Sequence, residues 1–153
     1  MPPVGFFIDT NLLVLLIVGS VDRNLIPKHR RLQRFTVEDC DILINLLDQV
    51  KQVFVTPNTL TETSNLLAQH NEPERSRFFD KLKLIIQESK EIVVASTDAS
   101  RNKAFKRLGL TDSALLEVVT AETPLVTVDL DLYLAALTKG QDAAVNFTHL
   151  QNL

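Results

Sequence analysis

Cysteine, glycine and long apolar runs are scarce in this sequence, and each scarcity excludes something. The only cysteine in 153 residues is Cys40, so no internal disulfide can form and a reducing compartment suits the chain. Cys40 itself reads as a small buried hydrophobe. The four glycines, Gly5, Gly19, Gly109 and Gly140, are widely scattered. A P-loop and a dinucleotide-binding fingerprint both need clustered glycines, so neither is present. No apolar run reaches the roughly 18 residues that a membrane span needs. The amino-terminal stretch is apolar enough to suggest a signal peptide. It lacks a basic start, however, and Asp9 and Asn11 interrupt its apolar part. These features predict a cytoplasmic protein with no membrane partner. Positive charge is not in excess either: the net charge is −3, so any role with nucleic acid must rest on local patches.

What is present suits one soluble globular domain spanning residues 1–153, with 45% hydrophobic and 23% charged residues. The pattern alternates strands with helices. The strands are expected at Val4–Ile8, Val53–Thr56, Ile92–Val94, Leu125–Val128 and Ala143–Phe147. Helices are expected at Thr10–Val18, Glu38–Val50, Asn58–Gln69, Glu74–Ser89, within Thr97–Leu108, at Asp112–Thr120 and at Leu130–Thr138. The tail to Leu153 carries no signal. Such alternation implies an α/β fold, a three-layer α/β/α sandwich around a parallel sheet. Gly19 to Thr36, with Arg23, Lys28, His29, Arg30, Arg31 and Arg34, reads as a solvated connection or partly helical insertion. Contact with RNA or a partner is the functional alternative for that basic run.

The chain is organised around Phe6-Phe7-Ile8-Asp9-Thr10-Asn11-Leu12-Leu13. A short apolar run ending in a carboxylate reads as a buried parallel strand with Asp9 at its carboxyl end, where α/β folds collect ligands. Three further acids follow a strand or open a helix: Glu62, Asp112 and Asp129, with Asp131 two residues beyond the last. Each has a plain structural account. Asp9, Asp129 or Asp131 can cap a helix, Thr59-Leu60-Thr61-Glu62 fits a capping box, and Asp112 suits a helix amino terminus. Taken together they say more, because a parallel sheet brings the carboxyl ends of all its strands to one edge. Carboxylates gathered there repel one another unless a cation or a function compensates. Oxygen donors of this kind suit Mg2+ or Mn2+, and no His or Cys cluster offers the donors that zinc prefers. A metal so held can activate water and neutralise charge on a phosphodiester.

The set Phe7-Ile8-Asp9-Thr10-Asn11, Thr56-Pro57-Asn58-Thr59-Leu60-Thr61-Glu62, Gly109-Leu110-Thr111-Asp112-Ser113-Ala114 and Val126-Thr127-Val128-Asp129 resembles the PIN-domain nucleases, in order and rough spacing, over nearly the whole chain. The resemblance implies metal-dependent endoribonuclease cleavage of single-stranded RNA. It makes Asp9, Glu62, Asp112 and Asp129 the acidic metal-site residues and Asp131 an auxiliary carboxylate. Thr127 matches the family's hydroxyl position, and Asn11 is a polar support. The chain's size resembles the toxins of toxin–antitoxin pairs, which implies a small antitoxin partner and a homodimer. The long basic connection departs from compact members of that group. Arg101, Lys103, Lys106 and Arg107 precede the Asp112 motif and are candidates for the RNA backbone, a solvated helix face being their other account.

Two other readings compete. A non-catalytic RNA- or partner-binding module would keep the fold, yet it has no need of four mutually repelling acids. A phospho-aspartyl enzyme also places an Asp after the first strand. A haloacid-dehalogenase-type phosphatase wants an Asp where Asn11 stands, and a receiver domain wants an early acidic pair and a late lysine.

Overall fold

Residues 2–153 are described by a computed structural model, and within them five strands form one all-parallel sheet between two helical layers, a three-layer α/β/α sandwich. The strands are β1 (Gly5–Ile8), β2 (Gln52–Val55), β3 (Lys90–Glu91), β4 (Leu125–Thr127) and β5 (Ala144–Asn146), in the spatial order β3-β2-β1-β4-β5. The chain therefore builds outward from β1 in one direction, then returns to lay β4 on its other side. Pairing sets Phe7 against both Phe54 and Leu125, and Ile8 against Val126.

Strand side chains alternate between faces, and that period divides the core in two. Phe6, Ile8, Val55 and Val126 face one cluster; Phe7, Leu125 and Ala144 face the other. The first cluster is built on α1 (Thr10–Val21), whose residues Leu12 to Leu15, Ile17, Val18 and Gly19 are all buried. A helix so apolar on every side has to be enclosed. Here α2 (Val37–Asp48), α3 (Pro57–Leu67) and α4 (Glu74–Glu88) enclose it. Across the sheet lie α5 (Ser96–Ser100), α6 (Phe105–Leu108), α7 (Leu110–Val118) and α8 (Leu130–Leu137).

Several boundaries differ from the sequence reading. The third strand pairs at Lys90–Glu91 rather than Ile92–Val94. Phe54 and Val55 set that register, and only the Ile92 amide continues it, donating to Val55 O at 2.8 Å. The helical stretch expected within Thr97–Leu108 breaks into α5 and α6. The silent tail forms α9 (Phe147–Gln151), with Phe147 buried in the first cluster. Helix α1 runs on to Val21. The basic connection after it winds into two 3-10 turns, Arg23–Leu25 and Arg30–Leu32, which bury Ile26, His29 and Leu32 around their charged neighbours.

Gly5 shows how tightly the sheet is built. A Cβ there would lie 2.4 Å from both Gln52 O and the Phe54 ring. Backbone cannot yield that space cheaply, so Gly5→Ala is expected to destabilise the fold by about 1–3 kcal/mol, as overpacking does. Urea unfolding monitored by circular dichroism checks this, and an unchanged midpoint would refute it.

Candidate active site

Strand order reverses between β1 and β4, and the crevice beyond their carboxyl ends is where open α/β sheets bind ligands. A cleft of about 340 Å³ opens there, lined by Asp9, Asn11, Glu62, Asp112 and Asp129 together with Arg31 and a few uncharged residues. Four acids that are far apart in sequence thus share one wall. Asn11, the expected polar support, joins them.

Asp9 anchors the group. It caps α1 by accepting from Leu12 N at 2.9 Å, and its other oxygen accepts from Val128 N at 3.1 Å and from the Thr127 hydroxyl. The buried Thr127 hydroxyl in turn accepts from Asp129 N at 3.0 Å. One side chain therefore ties the ends of β1 and β4 together. Burial pushes the Asp9 carboxyl above its ordinary value. Hydrogen bonds from Thr127, Leu12 and Val128 oppose that rise, and the charge of Asp129 adds to it.

Asp129 caps α8 through Leu132 N at 3.1 Å, and among the described residues its Oδ2 has no hydrogen bond. In both Asp9 and Asp129 the capping role and the position in the cleft belong to the same carboxylate. Glu62 behaves differently from its capping-box account. Thr56 caps α3 and Pro57 takes its first position, so Glu62 is not drawn back to the backbone. Its carboxylate instead takes the hydroxyls of Thr10, at 3.3 Å, and Thr111, linking the first turns of α1 and α7.

Asp112 lies in the first turn of α7 and accepts no hydrogen bond among the described residues. Burial, followed by the charges of Asp129, Asp9 and Glu62, raises its carboxyl to about 7. The helix dipole favours the ionised form, but here burial and repulsion outweigh it.

Other expected residues fall elsewhere. Asp131 is exposed on α8 and does not line the cleft. Arg101, Lys103, Lys106 and Arg107 are exposed on the α5–α6 segment and also lie outside the cleft lining, Arg101 facing Asp98 at 3.7 Å. Sequence reasoning named Arg31 only as one of a basic run, and it missed Asn65 and the hydroxyls of Thr10 and Thr111. Asn65 and Leu66 stand three and four residues after Glu62, a spacing that puts them on its helix face. Nothing local marks Arg31 out from the other basic residues of its connection.

The donor chemistry fits a hard divalent cation: all oxygen, with both Asp112 oxygens and one of Asp129 uncommitted. Among the described residues, however, no three His, Cys, Asp or Glu groups stand in ligating geometry. No protein-family model matches the chain, and a search of curated proteins finds no match.

A pH dependence follows. The folded state holds the Asp112 proton more tightly than the unfolded chain does, so stability falls as pH rises from about 3.8 to about 7. Asp112→Asn removes that loss. In chelator, the variant is expected to gain on the wild type by on the order of 1 kcal/mol across this window, after discounting for solvent access, or about 2–4 °C in Tm. Thermal melts at both ends of the window check it, and an equal difference at the two ends would contradict it.

Proposed function

We propose that this chain is a Mg2+- or Mn2+-dependent endoribonuclease that hydrolyses phosphodiester bonds of single-stranded RNA, of the toxin type with a small antitoxin partner. The observation that carries the proposal is the gathering of Asp9, Glu62, Asp112 and Asp129 in one cleft at the sheet's reversal point, with Asp112 left without a hydrogen bond. Repulsion among these groups is relieved when a cation neutralises them, and sharing one is the simplest compensation.

On this reading Asp9, Asp112, Asp129 and Glu62 would hold the ion. When bound, it would supply Lewis-acid stabilisation of charge on the scissile phosphate and a more acidic water. The chain's own residues do the positioning. Thr127 fixes the rotamer of Asp9 and the backbone entry to Asp129, while Thr10 and Thr111 hold Glu62 in place. Leu66 and Leu132 complete the lining with apolar side chains. Hydrolysis forms a bond from water oxygen to phosphorus and breaks the bond to the leaving ribose oxygen, which takes up a proton.

The second reading, a binding module that keeps the fold, draws on the lack of a ready-made ligand triplet among the described residues. Among those residues no helix is long and apolar enough to cross a membrane, which accords with both readings.

Incubation of a generic single-stranded RNA with the protein and Mg2+ or Mn2+ decides between them. Cleavage is expected, with a loss of about 100-fold or more in Asp112→Asn and Asp129→Asn at retained fold, the scale seen when one electrostatic contact to a transition state is removed. At subsaturating metal the rate should climb with pH, since protons compete for the same oxygens. Metal-independent cleavage, or full activity in Asp112→Asn, would rule out the assignment.

A further inference from the structure

A second hollow adjoins the acidic cleft. Arg31 and Leu66 form a wall shared with this hollow of about 440 Å³, whose remaining lining is His29, Arg30, Gln69 and His70. From one hollow to the other the lining changes sign. One carries four carboxylates; the other carries two arginines, an amide and imidazoles. Neither Arg30 nor Arg31 is in an ion pair among the described residues, where the only such contacts are Arg23–Asp41 and Arg101–Asp98.

The turn that bears these arginines is pinned in place. His29 Nδ1 accepts from Arg31 N at 3.0 Å, which leaves the ring proton on Nε2 to be donated to His70 Nε2 at 2.7 Å. Gln33 adds a bond to His29 O at 3.0 Å. His70, just past the end of α3, packs its ring edge-on to Phe78 of α4 at 4.9 Å. Burial, helped by the charges of His70 and Arg31, lowers His29 to about 4, so its ring is neutral at neutral pH and its Nδ1 is free to accept. The result is a rigid shelf rather than a loose basic loop.

A polyanion is repelled by the carboxylate end, so any strand lying over it needs cationic anchorage close by. Resting on the nuclease reading for its substrate, we propose that the hollow is a second phosphate subsite, in which Arg30 and Arg31 hold the phosphodiester adjacent to the one over the carboxylates. His29 and His70 are positioning residues for that shelf. The lysines and arginines of the α5–α6 segment are then peripheral to the strand's path.

Binding of a fluorescein-labelled oligouridylate, followed by anisotropy in chelator over a series of salt concentrations, tests this without turnover. Each lost phosphate contact lowers the slope of log affinity against log salt by about 0.7 on a single strand. Arg30→Ala/Arg31→Ala removes the contact to that one phosphodiester and should therefore lower the slope by about 0.7, with Arg30→Lys/Arg31→Lys restoring it and Lys103→Ala/Lys106→Ala leaving it unchanged. An unchanged slope in the arginine variant, a larger drop in the lysine variant, or no binding by the wild type overturns the subsite. Cleavage in Mg2+ is scored separately. A wild type that binds with the expected slopes but never cuts keeps the subsite and removes the nuclease reading. One that cuts while the arginine variant keeps its slope does the reverse.

Discussion

The burial of the Asp9 carboxylate between β1 and β4 is the constraint on which the rest of the structure depends. A carboxylate in that position is tolerable only if the chain supplies donors to it, because an unpaired one forfeits the hydrogen bonds that water supplied. The Leu12 and Val128 amides and the Thr127 hydroxyl are those donors, and they fix how α1 leaves the sheet and how β4 ends. Once those two chain reversals are locked, the amide of Asp129 is locked with them. The cleft is a consequence of satisfying one buried acid.

Around that acid the protein accumulates unfavourable charge instead of dispersing it. Asp112 is the clearest instance: a first-turn aspartate whose helix dipole favours ionisation, yet whose carboxyl sits near 7 because three other acids and burial oppose it. A structural carboxylate in a helix's first turn has its partners satisfied, as buried Asp39 does at the start of α2, where it completes a capping box with Thr36. The contrast between those two helix starts separates capping from gathering.

The second hollow is organised by neutral groups. The imidazole pair holds a turn whose neighbours are strongly basic, and His29 can accept the Arg31 amide there only while its own ring is uncharged. The basic connection that looked like an inserted surface segment is therefore half core. Ile26, His29, Leu32 and Phe35 are buried while Arg30 and Arg31 remain outside, the arrangement expected when a 3-10 turn eclipses side chains every third residue.

How much was legible beforehand varied with the range of the interaction. Local signals carried well: an apolar run ending at Asp9, short apolar strands, apolar helix stripes, and the acids that follow strands. Short-range competition defeated finer detail, as when Pro57 and Thr56 took the start of α3 and freed Glu62, or when register against β2 moved the third strand to Lys90–Glu91. By itself the sequence determined the alternating α/β class and which acids follow strands or open helices, because periodicity and strand ends are properties of neighbouring residues. Only the tertiary structure decided that Asp131 and the α5–α6 cations stand apart, that Thr10 and Thr111 hold Glu62, and that Arg31 closes the cleft. Those outcomes depend on strand order and on contacts spanning tens of residues, which no local pattern encodes.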